Sequence, residues 1–316
     1  MSEKSTTVVV LAGGLSHERD VSLRSGRRIG ALLADAGYDV QLCDVDATLL
    51  ERLREIQPDV VWPLVHGSAG EDGSLQDLLQ LLNLPFVGTD ADGARLASRK
   101  SVSKSVLKAN NIPTPEFALL PQALFRQLGA SGILAAVRDS LGLPLVVKPD
   151  DGGSALGVSL VTEEADLPSA MVSCFAYSDY ALIERAVDGV EIAVSVVDTG
   201  SGPTALPPVE IRTEGTYDYD ARYNAGRCEY FTPARLSEEQ RSLVCQTAEK
   251  VHQVVGLRHL SRIDMILDEL TPWVIDINVA PGMTETSLFP QAVAASDGPS
   301  VYSDVVRLAL NEGSVH

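Results

Sequence analysis

Residues 260–282 read LSRIDMILDELTPWVIDINVAPG, and this stretch decides the fold prediction. Two mainly apolar runs, Leu260 to Leu267 and Trp273 to Asn278, lie on either side of the polar pair Asp268-Glu269. Short apolar runs around a polar turn are typical of paired strands. The stretch therefore predicts two antiparallel strands in the core of an α/β protein.

Four charged or amide side chains interrupt these strands: Arg262, Asp264, Asp276 and Asn278. Side chains at i and i+2 share one face of a strand, so pairing the strands brings three oxygen ligands together. Such ligands suit magnesium, which takes its remaining ligands from phosphates and water. A solvated sheet face is the alternative for any one residue, but burying unpaired carboxylates is costly. The pattern favours a metal site.

A glycine-rich stretch, KPDDGGSALG at residues 148–157, follows a predicted strand at Leu145 to Lys148. Val158 to Val161 is predicted to return as the second arm of a hairpin. An ammonium and the backbone N–H groups of such a turn suit phosphate binding. The stretch is not a Walker A motif, since no G-K-[ST] follows the glycines. A second lysine, Lys100, lies in a predicted helix from Ser98 to Asn110.

The stretch LIERAVDGVE, Leu182 to Glu191, combines a strand, a turn and the start of another strand. A hinge of this kind can bind an adenine edge through its backbone, and a carboxylate can bind ribose hydroxyls. By itself the stretch is not specific, because Glu184 could equally be an ordinary surface residue of a strand.

The first ninety residues alternate strand and helix, which predicts a parallel, doubly wound sheet. We predict strands at Thr7–Leu11, Asp39–Asp44, Val60–Val65 and Pro85–Gly88, and helices at Ser22–Ala36, Leu49–Ile56 and Ser74–Leu82. The loops GGLSHERDVSLRSG and HGSAGEDG, which carry Glu18 and His66, follow two of these strands. Ligands of such sheets bind at the carboxyl ends of strands, although a lone histidine is more often structural.

Boundaries near residue 90 and Gly189 predict three domains, at residues 1–89, 90–188 and 189–316. We expect one helix from Gln122 to Leu141, whose middle is weakened by Gly129 and Gly132, and a helix opened by a capping box of Ser237 and Gln240. The polar, tyrosine-rich stretch from Thr213 to Phe231 is predicted to be a loop, and a loop of that length is usually functional.

The composition and charge of the chain disfavour several classes of function. The 316 residues carry a formal net charge of −18, which disfavours nucleic acid and anionic membranes as partners. Four widely spaced cysteines form no C-x-x-C pair, so zinc and disulfide frameworks lack support. The start, Met1 to Thr7, is polar, and no apolar run reaches the roughly 20 residues of a membrane span. We therefore expect a cytoplasmic protein.

Taken in order, these stretches resemble the D-alanine–D-alanine ligase family of ATP-grasp enzymes. The resemblance covers nearly the whole chain: GGLSHERDVS, HGSAGEDG, the helix with Lys100, KPDDGGSALG, LIERAVDGVE, YDYDARY, RID and NVAPGMT. It implies a three-domain ATP-grasp fold whose N-terminal domain is Rossmann-like. It also implies ATP, two Mg²⁺ ions for which Mn²⁺ could substitute, small amino-acid substrates and a homodimer.

In that family, ATP phosphorylates the carboxylate of one D-alanine, and the amine of a second attacks the acyl phosphate. Carried over to this sequence, the ATP-binding residues are Lys100, Lys148, Ser154, Glu184, Arg185, Val187, Glu191 and Arg222. The metal ligands are Asp264, Asp276 and Asn278. The substrate-binding residues are Glu18, His66, Ser287 and Leu288. The oxyanion is assigned to Arg262 and the N–H of Gly282. A network that closes a lid over the site is assigned to Glu18, Ser154 and Tyr223.

Other interpretations stay open at this point. A sibling ligase could join a different amino-acid pair in specialised metabolism, and a non-catalytic nucleotide-binding protein could keep the same fold. The sequence also departs from the family pattern: Asp276 replaces a more usual glutamate, and Arg222 a more usual lysine. Tyr223 favours an amine acceptor over a hydroxy acid. The metal ligands and both lysines are present, which favours a catalyst.

Overall fold

The computed structural model describes residues 5–153, 155–213, 228–296, 298 and 300–313. Its N-terminal sheet is parallel, with the strand order β2-β1-β3. The strands are β1 (Thr7–Ala12), β2 (Asp39–Asp44) and β3 (Val60–Pro63). The helices around it are α1 (Arg19–Asp35), α2 (Leu49–Ile56), α3 (Ser68–Glu71) and α4 (Ser74–Leu81). The predicted parallel α/β arrangement is confirmed.

Two details of this part were predicted wrongly. Strand β3 ends at Pro63 and not at Val65, and one further bond to β1 follows it, from the N–H of Leu64 to the carbonyl of Leu11 at 2.8 Å. In place of a strand at Pro85–Gly88, Phe86 forms one isolated parallel bridge with Val61.

The second sheet is antiparallel and has the order β4-β7-β5-β6. Its strands are β4 (Phe117–Pro121), β5 (Leu145–Pro149), β6 (Ser159–Val161) and β7 (Tyr180–Arg185). The helices of this part are α5 (Ala91–Ser98), α6 (Lys100–Ala109), α7 (Gln122–Leu128), α8 (Ala130–Leu141) and α9 (Leu167–Phe175). The single helix predicted over Gln122–Leu141 is wrong: Gly129, at φ +78°, breaks it in two.

The third sheet has the order β11-β10-β8-β12-β13, with β9 paired to β8. Its strands are β8 (Val190–Val197), β9 (Thr204–Ala205), β10 (Val209–Thr213), β11 (Cys228–Phe231), β12 (Leu260–Asp268) and β13 (Thr271–Asn278). The helices are α10 (Glu238–Val255), α11 (Leu288–Ala294) and α12 (Val301–Glu312). The loop predicted to reach Phe231 is wrong at its end, where β11 forms; residues 214–227 lie outside the described residues.

Strands β12 and β13 pair in antiparallel register, as predicted. Arg262 lies opposite Asn278, and Asp264 lies opposite Asp276. The register then shifts, so that Met265 faces Val274 and residue 275 is the extra residue of a β-bulge. Bulges re-aim side chains and release backbone groups from the ladder. The side chains of Arg262, Asp264, Asp276 and Asn278 therefore lie together at the end of the strand pair where β12 begins and β13 ends.

A single apolar cluster joins the first and third parts of the chain. It includes Val10 and Trp62 of the N-terminal sheet together with Phe289 and Tyr302 of the C-terminal helices, all buried. This shared apolar core holds the N-terminal sheet against the C-terminal helices, and so fixes the position of the N-terminal loops relative to the third sheet. None of the helices in the described part of the chain is long and apolar enough to cross a membrane.

The predicted capping box at the start of α10 is confirmed. Ser237 Oγ accepts a hydrogen bond from the N–H of Gln240 at 3.2 Å, and Gln240 Oε1 accepts one from the N–H of Ser237 at 3.0 Å. Each bond satisfies a donor that the first helical turn leaves unpaired.

Replacing the cap by Ser237→Ala is expected to lower the unfolding free energy by about 1 kcal/mol, because the N–H of Gln240 loses its acceptor. Urea denaturation followed by circular dichroism measures this change. Ser242→Ala in the same helix is the control and is expected to leave the unfolding midpoint in place. Equal midpoints for the Ser237 variant and the control would contradict the role of the cap.

Candidate active site

A cleft of about 970 Å³ opens between the second sheet and the edge strand β13 of the third sheet. Apolar side chains form much of its wall, which suits a flat aromatic ring: Val146, Leu156, Val158, Ile266 and Ile275. The charged and hinge residues predicted for nucleotide binding also line it: Lys100, Lys148, Glu184, Arg185, Val187 and Glu191. The structure thus brings these six predicted residues together in one cleft.

Glu184 is not the surface residue that its strand position allowed. It is 3% exposed, and its Oε1 accepts a 2.5 Å hydrogen bond from Lys148 Nζ. Its Oε2 lies 2.8 Å from the ammonium of Lys104, a residue of α6. Burial raises the pKa of this carboxyl, but the two lysines outweigh burial and hold the pKa below its usual value. Glu184 is therefore a charged group inside the protein.

Lys100 is placed by the strand end at Asp150. The backbone N–H of Lys100 donates to the carbonyl of Asp150 at 2.9 Å, and the Asp150 carboxylate accepts from the N–H of Ser101 at 2.7 Å. From this position Lys100 Nζ donates to the carbonyl of Gly152 and lies 3.5 Å from Asp276 Oδ1. The ammonium thus lies between the glycine-rich turn and the predicted metal site.

The Asp264 carboxylate is held by hydrogen bonds from Arg262 on the same strand and from Asn278 on the paired strand. Arg262 donates to both of its oxygens, through Nε at 2.7 Å and a terminal nitrogen at 2.8 Å, and the Asn278 amide donates to Oδ2 at 3.2 Å. A carboxylate has about four lone-pair sites, so one site on Oδ1 remains for a cation. The pairing also fixes the plane of the Arg262 guanidinium.

The donor set fits Mg²⁺. Asp264, Asp276 and Asn278 supply hard oxygens, and Lys100 lies beside them to meet phosphate. Over the described ranges, no group of three or more His, Cys, Asp or Glu side chains is placed to hold a metal by itself. A cation here would therefore complete its shell with water and phosphate oxygens.

A second cavity, of about 860 Å³, lies between the N-terminal loops and the C-terminal end of β13. It is lined by the residues predicted to bind substrate and stabilise an oxyanion: Glu18, His66, Arg262, Gly282, Ser287 and Leu288. A third cavity, of about 610 Å³, is lined by both Asp276 and Asn278. Gly153 lines all three, so the two sites meet at the glycine-rich turn and the predicted metal ligands.

His66 holds the backbone around Gly282 in place. Its Nδ1 lies 3.1 Å from the carbonyl of Ala280, which only accepts, so Nδ1 carries the proton. Burial lowers the pKa of His66, so the ring is neutral and Nε2 accepts from Ser25 Oγ at 3.2 Å. Ser25 Oγ in turn accepts from the N–H of Met283 at 3.1 Å. The histidine thus orients both ends of the Ala280–Met283 turn.

Glu71 is a further carboxyl in the second cavity. Its Oε1 accepts a hydrogen bond from the N–H of Gly67 at 3.1 Å and lies 3.9 Å from His66 Nδ1. Burial, together with the negative charge of Glu18, raises the pKa of Glu71 to about 8. A proton is therefore held between the N-terminal loop and the predicted metal site at neutral pH.

Three predicted site residues, Ser154, Arg222 and Tyr223, lie outside the described residues. Glu18, the predicted partner of Ser154 and Tyr223, lies close to Gly153: a Cβ added at Gly153 would be 3.5 Å from Glu18 Oε2.

Sequence reasoning missed Lys104, Ser25 and Glu71. Glu71 stands inside the quoted HGSAGEDG stretch, and Ser25 inside GGLSHERDVSLRSG, so their motifs gave a signal. Lys104 stands one helical turn after Lys100, a spacing that places both on one helix face.

Two sheets that face each other across a lysine-bearing cleft, with acidic residues at its inner end, define the ATP-grasp class of proteins. The family model described as D-ala D-ala ligase C-terminus matches residues 106–308, and the model described as D-ala D-ala ligase N-terminus matches residues 48–89. The chain therefore belongs to the D-alanine–D-alanine ligase family.

Individual relatives agree with this placement. A D-alanine–D-alanine ligase from Pelotomaculum thermopropionicum is 34% identical over 96% of each chain. The crystal structure of D-alanine–D-alanine ligase from Bacillus anthracis is 26% identical, covers 98% of each chain and has a TM-score of 0.84. The crystal structure of the Bacillus anthracis ligase complexed with ATP is also 26% identical; the match covers 98% of this chain and 100% of that one, with a TM-score of 0.81.

Glu71 is expected to titrate near pH 8 in the ligand-free protein, and Glu18→Gln is expected to lower that pKa by removing a neighbouring negative charge. NMR of ¹³C-labelled glutamate carboxyl carbons measures both. The pKa is above the ordinary 4.5, so the folded state binds the proton more tightly, and the contribution of Glu71 to stability falls as pH rises from 4.5 towards 8. An ordinary pKa for Glu71 would contradict the burial argument.

Proposed function

We propose that this chain joins two D-alanine molecules to D-alanyl-D-alanine with ATP, through an acyl phosphate, and so supplies peptidoglycan precursors. The supporting observation is the pairing of β12 with β13, which places Arg262 and the predicted metal ligands where the two sites meet. A ligase that works through an acyl phosphate needs this arrangement, because the phosphoryl group must pass from one site to the other.

The first step takes place at the junction. ATP lies in the first cleft with its adenine against the apolar wall and the hinge, and Glu191 binds the ribose. Lys100 and Lys148 bind the phosphates. A carboxylate oxygen of the first D-alanine attacks the γ-phosphorus, a new P–O bond forms, and the bond to ADP breaks. Positioning and charge neutralisation are the main contributions a protein can make to this reaction.

In the second step, the amine of the second D-alanine attacks the acyl carbon. A tetrahedral oxyanion forms, and Arg262 and the N–H of Gly282 stabilise it. Collapse expels phosphate, which takes up the extra proton of the amine as the amide forms. One preorganised donor of this kind contributes roughly 3–4 kcal/mol. Arg262 is preorganised by Asp264, and the Gly282 turn by His66 and Ser25.

The substrates are held by residues of the second cavity. Glu18 binds the ammonium of the first D-alanine, and His66 helps to place that substrate. Ser287 and Leu288 receive the carboxylate of the second. The hydroxyl of Ser287 is already oriented by Thr284, at 3.0 Å from its N–H and 2.8 Å from its hydroxyl. The acceptor end of the cavity thus has a fixed polar group.

Two Mg²⁺ ions, or Mn²⁺ in their place, would be held by Asp264, Asp276 and Asn278. When bound, they would neutralise the charge on the phosphates during transfer. We also propose that residues 1–89, 90–188 and 189–316 are the three domains, that the protein is a homodimer, and that it works in the cytoplasm. Ser154, Arg222 and Tyr223 are proposed to act with a lid that excludes water from the acyl phosphate.

The proposal is tested by ATP-dependent phosphate release with Mg²⁺ and single or paired D- and L-amino acids, with mass spectrometry of the products. D-alanine alone is expected to give phosphate and a D-alanyl-D-alanine mass. If phosphate release requires a different amino-acid pair, the ATP-dependent ligation stands and that pair replaces D-alanine as the substrate. Absence of release with every amino acid, in a protein that binds ATP, would overturn the ligase proposal.

Asp264→Asn is expected to lower kcat by roughly 100-fold or more, because it removes a cation ligand and releases the Arg262 guanidinium. Steady-state kinetics measure this loss. Asp268→Asn is the matched control: it changes the same residue type at the exposed end of the same strand and is expected to keep kcat unchanged. Equal rates for the two variants would remove the β12–β13 site from the reaction.

A further inference from the structure

Lys104 is a buried lysine to which neither the motifs nor the proposed reaction gives a role. It is 2% exposed, and its ammonium has three N–H donors with an oxygen near each. The oxygens are Thr114 Oγ1 at 2.7 Å, the carbonyl of Val274 at 3.3 Å and Glu184 Oε2 at 2.8 Å. Burying a lysine at this cost calls for a specific reason.

Lys104 neutralises the negative charge of Glu184. The Oε2 of Glu184 is fully buried and lies 2.8 Å from the Lys104 ammonium, which donates to it and compensates its charge. Its Oε1 is bound by Lys148. Burial lowers the pKa of Lys104 to about 8, with Glu184 opposing, so the ammonium form prevails at neutral pH. Two positive charges and one negative charge leave a net charge of +1.

That net charge faces the first cleft. Lys148 and Glu184 line the cleft, whereas Lys104 is not among the residues that line it. Without Lys104, Glu184 and Lys148 would form a neutral pair, and the carboxylate would compete with phosphate for the Lys148 ammonium. In a chain of net charge −18, an anion site depends on such local compensation.

The lysines also connect the two sheets that form the cleft. Lys104 donates to the carbonyl of Val274, and Lys148 donates to the carbonyl of Ile275 at 3.2 Å. Both carbonyls belong to edge strand β13, at and beside the bulge, while Glu184 belongs to β7 of the other sheet. The cluster of Lys104, Lys148 and Glu184 therefore holds the two sheets together at the point where the phosphates would lie.

We propose that Lys104 is a positioning residue for nucleotide binding: it neutralises Glu184, so that the Lys148 ammonium has a positive charge and one N–H left for a phosphate beside its bonds to Glu184 and Ile275. This inference rests on the proposed function, because it takes nucleotide to bind in the first cleft. Lys104 itself touches no phosphate, and its effect passes through Glu184.

The test is Lys104→Met, which keeps the length of the side chain and removes its charge. Titration calorimetry with the β,γ-imido analogue of ATP and Mg²⁺ is expected to show affinity reduced roughly tenfold or more. The KM for ATP rises in parallel, while the KM for D-alanine stays near the wild-type value. Lys108→Met is the matched control: Lys108 is one turn further along α6, exposed and paired with Glu116. It is expected to bind the analogue like the wild type.

A double-variant comparison separates charge from packing. In the Glu184→Gln background no buried carboxylate is left for Lys104 to neutralise, so adding Lys104→Met is expected to change affinity for the analogue by less than about threefold. This comparison takes Glu184→Gln as its own reference, so it decides the matter even if Lys104→Met alone does not fold. A further loss of about tenfold in the double variant relative to Glu184→Gln, or wild-type affinity in Lys104→Met, overturns the inference.

The wild-type protein distinguishes this inference from the proposed function. If the wild type neither binds the analogue nor makes a dipeptide, both fail. If the wild type does both and Lys104→Met binds the analogue equally well, the ligase proposal stands and the role of Lys104 is rejected.

Discussion

The register between β12 and β13 is the constraint on which the site depends. It sets Arg262 opposite Asn278 and Asp264 opposite Asp276, and the bulge at residue 275 ends the alternation beyond them. A shift of one residue would turn these side chains to the other face of the sheet. The same bulge leaves backbone carbonyls of the edge strand to the buried lysines. One irregularity of the ladder thus shapes both the proposed metal site and the proposed phosphate site.

Electrostatics explains how a strongly acidic chain can hold an anionic nucleotide. The negative charge of the whole chain repels anions at long range. Nucleotide binding therefore depends on ammonium groups that lie close to the ligand and have low solvent exposure. Lys100 and Lys148 are held by backbone carbonyls, and Lys148 also by Glu184, in positions that line the cleft. Asp264 restrains Arg262 in the same way at the other site. Each cation is therefore oriented before any ligand arrives.

The sequence predicted what depends on local pattern. The parallel N-terminal sheet, the capping box of Ser237 and the antiparallel pairing of β12 with β13 all followed from periodicity and turn residues. The clustering of site residues followed from the order of motifs that the family shares. What remained hidden depends on tertiary contacts: the bulge at residue 275 and the burial of Lys104. A lysine at a polar helix position is ordinarily exposed, and only the packed sheet shows that this one is buried.

The central claim is that the two sites meet, so that the γ-phosphoryl group of ATP passes to the carboxylate of D-alanine. Incubation with D-alanine labelled with ¹⁸O in its carboxylate, followed by ³¹P NMR of the released phosphate, tests this directly. An acyl phosphate transfers one labelled oxygen to phosphorus, so the account predicts an isotope-shifted phosphate signal that grows in step with dipeptide formation. Dipeptide formed together with unlabelled phosphate would contradict it, because ATP would then be cleaved without joining the substrate.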